Sequence, residues 1–211
     1  MLTYLFDASA AVELYRRDNS KARKAAEYIV AQRKLHGQAT LYIPNFCVVE
    51  VFNTFARKHF RDRELDEKGY ESSLKRFIDD VHWGKTLYSY ELNRYHIIAA
   101  DEIIPIEHRV ASEHDRDHLS TFDILVIAMA CELAYVGQAE DTFLVTCDRR
   151  IKRVVGQLNA AGARTREIWS LPGRLLDDPG IRRWVPPNVL YLPGLKPGEI
   201  RVVQGQTRLN L

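Results

Sequence analysis

The sequence has little of what marks secreted, membrane-bound or zinc-stabilised proteins. Its 211 residues include three cysteines, Cys47, Cys131 and Cys147. An odd count at wide spacing, with no CxxC pair, argues against a disulfide framework and a cysteine-based zinc site, and favours a reducing compartment. The amino terminus lacks signal-peptide features, and no apolar run approaches the roughly 20 residues of a membrane helix. We therefore expect a cytoplasmic protein without membrane attachment.

The sequence also lacks a strong charge bias. Thirty basic residues against 28 acidic ones leave a net charge of +2. This balance neither requires nor excludes a nucleic-acid partner, because a local basic patch matters more than the sum. The composition, 46% apolar and 27% charged, is that of an ordinary globular protein. The length suits one large domain, or one domain with an appendage.

Short apolar runs alternate with helical patterns along most of the chain, which indicates a parallel sheet covered by helices on both faces. We predict Asn45 as the N-cap of the third helix. The predicted strands are Leu2–Phe6, Leu41–Ile43, Ile103–Glu107, Thr142–Thr146 and Thr165–Trp169. The predicted helices are Ala8–Tyr15, Ser20–Arg33, Phe46–Phe60, Asp66–Val81, Tyr88–Glu102, Ser120–Tyr135 and Arg149–Ala161.

The character of the sequence changes at Leu171, after which prolines and glycines recur. Two short strands are predicted there, at Val189–Leu192 and Glu199–Val203. We interpret residues 1–170 as the functional α/β domain and residues 171–211 as a Pro-rich C-terminal extension, not a second catalytic domain. An exposed sheet edge, or this extension, is a candidate surface for a homodimer.

Acidic residues follow two predicted strands and interrupt two apolar helices. Asp7 follows the first strand and Asp148 follows Thr142–Thr146. Asp123 lies in the first turn of an apolar helix, and Glu50 lies in an apolar run where an unpaired charge is costly. Because open parallel sheets bind ligands at the carboxyl ends of their strands, we expect the four carboxylates to converge there.

Each acidic residue also has an ordinary structural interpretation. Asp7 and Asp148 precede helices and are candidate N-caps. Asp123 has capping-box spacing from Ser120, and Glu50 has Arg57 as a candidate ion-pair partner. As a set, however, four carboxylates at one rim would repel one another unless they bind protons or a cation. Oxygen-only ligation favours Mg²⁺ or Mn²⁺, ions suited to phosphodiester hydrolysis.

Four segments together resemble the PIN-domain family of metal-dependent ribonucleases, over roughly residues 2–170. They are LFDASAAVELY, IPNFCVVEVFNTF, LSTFDILVIAMACEL and FLVTCDRRI. The resemblance implies a PIN-like three-layer fold, with a parallel sheet between helices. It also implies an Mg²⁺- or Mn²⁺-dependent endoribonuclease whose catalytic and metal-binding residues are Asp7, Glu50, Asp123 and Asp148. Ser9, Asn53 and Thr146 would orient these carboxylates or waters.

RNA is the expected substrate, and Arg149 and Arg150 are predicted to contact its phosphates because they directly follow Asp148. Many members of the family are toxins of toxin–antitoxin pairs, so a small antitoxin protein is an expected partner. Two segments depart from the compact toxin pattern: the charged stretch Arg61–Glu102 and the Pro-rich extension. An RNA-processing enzyme is therefore the other biological role that the sequence leaves open.

Several alternatives to this interpretation remain. The main one is a catalytically weak PIN-fold scaffold that binds RNA or protein. Haloacid-dehalogenase-like phosphatases need a second aspartate where Ser9 stands, and the receiver-domain acid pair is also missing. His114 and His118 have the i, i+4 spacing of metal ligands, but their polar surroundings favour a solvent-exposed pair. Cys147 has no His–carboxylate arrangement that would make it a nucleophile.

Overall fold

The structure is a computed structural model that describes residues 1–16, 19–36, 39–113, 118–161 and 184–195. Five strands and seven α-helices are the main elements of the described residues. The strands are β1 (Leu2–Phe6), β2 (Ala39–Pro44), β3 (Tyr88–Tyr90), β4 (Thr142–Thr146) and β5 (Asn188–Tyr191). The helices are α1 (Ala8–Tyr15), α2 (Lys21–His36), α3 (Asn45–Phe60), α4 (Glu67–His82), α5 (Arg94–Glu113), α6 (Thr121–Gly137) and α7 (Arg149–Ala161).

The five strands form one parallel sheet in the order β3-β2-β1-β4-β5. Strand β1 lies between β2 and β4, and its last residue, Phe6, aligns with Val145 near the end of β4. The carboxyl ends of β2, β1 and β4 therefore adjoin at one edge of the sheet. This topology brings the residues that follow β1 and β4 together.

The central strands are buried on both faces, as expected for a parallel sheet covered by helices. Every residue of β1 and of β4 is buried. The helices form two groups, α1 to α4 and α5 to α7, and each helix contacts other helices of its own group. Together the two groups flank the sheet. These observations confirm the predicted α/β fold of a parallel sheet between helices.

Helix α6 is apolar nearly all round because it lies inside the molecule. Ten of its residues are buried, including an unbroken run from Ile124 to Cys131. Its polar beginning, at Ser120 and Asp123, is fixed by a complete capping box. Within the described residues, all helices are too short or too polar to cross a membrane.

The predicted strand Ile103–Glu107 is wrong, because these residues lie within α5. Ile103, Ile106 and Val110 are buried at spacings of three and four, which is the period of a helix face. A five-residue apolar run shows this period too briefly to be told from a strand. The prediction of a helix from Tyr88 is also wrong at its start, since Tyr88–Tyr90 form strand β3 beside β2.

The predicted N-cap at Asn45 is a further correction. The cap position is Pro44, without a side-chain cap hydrogen bond, and Asn45 is the first helical residue. Its side-chain amide donates to Glu91 Oε2 at 2.7 Å, a contact across the sheet edge that local rules do not predict. The predicted strands Thr165–Trp169 and Glu199–Val203 lie outside the described residues. Strand β5, close to the predicted Val189–Leu192, joins the sheet beside β4.

Candidate active site

Asp7 lies at the centre of the carboxyl edge, directly after β1. The residue is 4% exposed, and its carboxylate accepts three hydrogen bonds. Oδ1 accepts from Ser9 Oγ and from the Ala10 backbone N–H, each at 2.7 Å, and Oδ2 accepts from Thr146 Oγ1 at 2.5 Å. Asp7 is therefore the N-cap of α1 and is also tied to β4. Burial raises the pKa of Asp7 to about 6, although the three hydrogen bonds oppose this rise.

The hydroxyl groups of Ser9 and Thr146 connect the loops after β1 and β4. Ser9 Oγ, which donates to Asp7, accepts the Cys147 backbone N–H at 2.9 Å. Thr146 Oγ1, which also donates to Asp7, accepts the Asp148 backbone N–H at 2.8 Å. Each hydroxyl thus donates to one loop and accepts from the other. Both hydroxyls therefore hold the Asp7 carboxylate in one orientation.

Asp148 lies beside Asp7 through the Thr146 bridge, but its carboxylate faces Arg150. Oδ1 accepts from the Arg150 backbone N–H at 2.7 Å and from Nε at 3.1 Å. Oδ2 accepts from Nη2 at 2.6 Å. Arg150 Nη1 also donates to the His118 carbonyl oxygen at 2.8 Å. Arg150 therefore neutralises Asp148 and spans two loops, while Arg149 is exposed at the start of α7.

Glu50 and Asp123 approach Asp7 from α3 and α6. Burial raises the pKa of Glu50 above its ordinary value, and the charge of Asp123 raises it further, while a hydrogen bond from Cys47 opposes both. The charge of Asp123 also contributes to the raised pKa of Asp7. Asp123 Oδ2 accepts from Ser120 N at 2.9 Å and from Ser120 Oγ at 2.7 Å. Its capping role is thus real and coexists with its proximity to the other acids.

The buried thiol of Cys47 lies near both Glu50 and Asp7. Burial raises the pKa of Cys47 strongly, and the charges of Glu50 and Asp7 raise it further. Glu50 and Asp7 therefore both act on one point between α3 and the end of β1. Cys147 is half-buried, and burial raises its pKa to about 12, so that little thiolate forms at neutral pH.

The described residues provide no basic partner for three of the four carboxylates. No ion pair to Asp7, Glu50 or Asp123 is formed within that part of the chain. Arg57, the suggested partner of Glu50, instead lies 3.9 Å from Asp62. Asn53 is exposed on α3, and no hydrogen bond joins it to Glu50 in the described region. These carboxylates carry uncompensated negative charge, which a hard divalent cation would neutralise, although no three of the four described acids bring ligand oxygens within 4.8 Å of one another.

Two aromatic rings that the sequence patterns did not single out lie beside these acids. Phe122 precedes Asp123 and is 49% exposed. Its ring centroid lies 5.3 Å from that of Phe46, which is one helical turn before Glu50. An exposed ring adjoining a carboxylate cluster offers a surface for a nucleobase. The sequence did contain an indication of these rings, because Phe46 and Phe122 are apolar residues at the starts of predicted helices, where solvent exposure is expected.

Comparison with known proteins gives a family, and solved structures of similar fold. None of the curated proteins matches the chain. The crystal structure of VapBC2 from Rickettsia felis bound to a DNA fragment from their promoter is similar, with a TM-score of 0.44 and 15% identity, over 72% of this chain and 93% of that one. The PIN domain family matches residues 4–157, which include all four acidic residues. The chain therefore belongs to the PIN domain family, whose members are generally nucleases.

Proposed function

We propose that this protein is a metal-dependent endoribonuclease that hydrolyses RNA phosphodiester bonds at the carboxyl edge of its sheet. The supporting observation is that the charge of Asp123 raises the pKa of both Asp7 and Glu50, and that none of these three acids has a basic partner among the described residues. A structural role in capping explains Asp7 and Asp123 singly. It does not explain why three acids from different elements meet.

Asp7, Glu50 and Asp123 would hold Mg²⁺ or Mn²⁺, and Asp148 would join them where Arg150 releases one of its oxygens. A bound divalent ion supplies positive charge that activates water and stabilises charge on the phosphate. Ser9 and Thr146 hold the Asp7 carboxylate in place through their hydrogen bonds. This preorganisation means that Asp7 need not reorient when the substrate arrives.

Glu50 is the proposed proton acceptor for the attacking water. It is half-buried, and burial raises its pKa toward the range in which a carboxylate acts as a general base. The neighbouring charge of Asp123 contributes in the same direction. The exposed Arg149 would contact an RNA phosphate, and Phe122 would stack on a base. Arg150 would serve primarily to position Asp148.

The decisive experiment incubates purified protein with single-stranded RNA in Mg²⁺, in Mn²⁺ or in EDTA, and maps the new ends. We expect cleavage with metal and none in EDTA. Asp123→Asn should lose more than about 100-fold in rate, because a metal ligand is lost while the capping oxygen is retained. Glu71→Gln, which neutralises an exposed carboxylate on α4, is the matched control.

The opposite result would identify the alternative function. RNA binding without cleavage in either metal, with Asp123→Asn behaving as wild type, would favour a PIN-fold scaffold over an enzyme.

As to biological role, we propose that the protein is a toxin silenced by a small antitoxin protein, on the basis of its family. Growth arrest on expression, relieved by co-expression of an adjacent small reading frame, would test this role.

A further inference from the structure

A second group of metal-ligand side chains lies where α5 approaches the start of α6. Glu107 and His108 belong to α5, and His118 immediately precedes Leu119 and the α6 cap. Glu107 Oε2 lies 3.2 Å from His118 Nδ1 and 3.9 Å from His108 Nε2. The two imidazole centroids are 4.7 Å apart. One ligand atom from each residue lies within 4.8 Å of the other two.

The Glu107 side chain is 3% exposed, so its charge needs compensation. Oε1 accepts the Leu119 backbone N–H at 2.8 Å, which leaves Oε2 facing the two imidazoles. Within the described residues, these imidazoles are its only ion-pair partners. The His108 and His118 side chains are 64% and 50% exposed, so an ion can approach from solvent. The group thus combines one buried carboxylate with two imidazole nitrogens that are accessible to solvent.

The distances fit a small transition-metal ion. Zn²⁺ bonds of about 2.0–2.1 Å in a tetrahedral shell place ligand atoms about 3.3 Å apart. The 3.2 Å separation already fits, and the 3.9 Å separation closes by a rotation of the exposed His108 ring. Two imidazoles and one carboxylate favour Zn²⁺ over Mg²⁺, with water in the fourth position. The Leu119 N–H would orient the carboxylate.

We propose that Glu107, His108 and His118 form a Zn²⁺ site separate from the acidic residues of the candidate active site. The ion would fasten α5 to the segment that leads into α6. It would also restrain the His118 backbone, whose carbonyl oxygen accepts from Arg150 Nη1 at 2.8 Å. Since Arg150 also holds Asp148, occupancy of this site would restrain the loop after β4.

Zn²⁺ titration of untagged, metal-stripped protein by calorimetry tests the proposal without measuring nuclease activity. We expect one Zn²⁺ per chain at this site, with affinity reduced more than about 100-fold in both His108→Ala and His118→Ala. Both side chains are half or more exposed, so both variants should fold, which circular dichroism verifies. His82→Ala, an exposed histidine outside the group, should bind Zn²⁺ as wild type does.

Two further measurements make the result unambiguous. Zn²⁺ at about 100 times its Kd should raise the Tm of wild type by roughly 5–10 °C, and His118→Ala should lose that rise. Asp123→Asn should keep it, because its change lies in the other site. In NMR spectra of wild type, the imidazole signals of His108 and His118 should shift on Zn²⁺ addition. Unchanged Zn²⁺ affinity in both alanine variants, or loss of binding in Asp123→Asn alone, would overturn the proposal.

Discussion

Replacing Asp7 by asparagine should make the metal-free protein gain stability relative to wild type as the pH rises from acid to neutral. Burial raises the pKa of Asp7 to about 6, against about 3.9 in an unfolded chain. At about 1.4 kcal/mol per pKa unit, the charged form is disfavoured in the folded state by about 3 kcal/mol. Because the folded pKa is raised, protonated Asp7 contributes fully to the free energy of unfolding below pH ~3.9, and this contribution is lost as pH rises through about 6.

Asp7→Asn has no titrating group, so it should escape this loss. Relative to wild type, the variant should gain about 2.5 kcal/mol between pH 4 and pH 8, or roughly 5–10 °C in Tm for a chain of this size. Any constant cost from altered hydrogen bonds to Ser9 and Thr146 cancels in that difference. Urea unfolding in EDTA at several pH values measures it, with Glu71→Gln as control. A stability difference that does not change with pH would refute the reasoning.

Three further predictions concern the surroundings of the site. Phe122→Ala should raise KM for single-stranded RNA roughly 5- to 100-fold with little change in kcat, from the loss of one stacked base, whereas Phe60→Ala should not; equal KM values would exclude stacking. Thr146→Val should lower the free energy of unfolding by about 1–3 kcal/mol in denaturant titrations, because the Asp148 N–H loses its acceptor; wild-type stability would contradict the bridge. Burial raises the pKa of Glu132, but its hydrogen bonds outweigh burial and lower the pKa overall. Glu132→Gln should therefore be less stable than wild type at pH 7, and this difference should shrink as pH falls below 4.5. A difference that persists at acid pH would contradict this reasoning.

The fold and the position of the acids followed from local patterns in the sequence. Asp7 and Asp148 each end an apolar strand, and parallel strands necessarily end at the same edge. The helix positions of Glu50 and Asp123 were also predictable, since the long apolar runs around them exceed strand length. The predicted strand at Ile103 failed because a short apolar run does not distinguish the two periods.

The contacts between side chains were not predictable, because they depend on three-dimensional neighbours. Asn45 bonds to Glu91 instead of capping α3, since the loop after β3 lies beside it. Arg150 folds back on Asp148 instead of pointing to solvent, and its second contact, the His118 carbonyl, is distant in sequence. His118 pairs with Glu107, a residue that had been assigned to a strand. His114, its predicted partner, lies outside the described residues.

Mn²⁺ binding by the free protein tests the central claim most directly, because it requires neither substrate nor turnover. Titration of wild type, Glu50→Gln and Asp123→Asn, followed by the electron paramagnetic resonance signal of unbound Mn²⁺, compares acids contributed by two different helices. Both variants should bind Mn²⁺ more than about 100-fold more weakly than wild type, while Glu71→Gln binds as wild type does. Wild-type Mn²⁺ affinity in both variants would show that Glu50 and Asp123 do not share an ion.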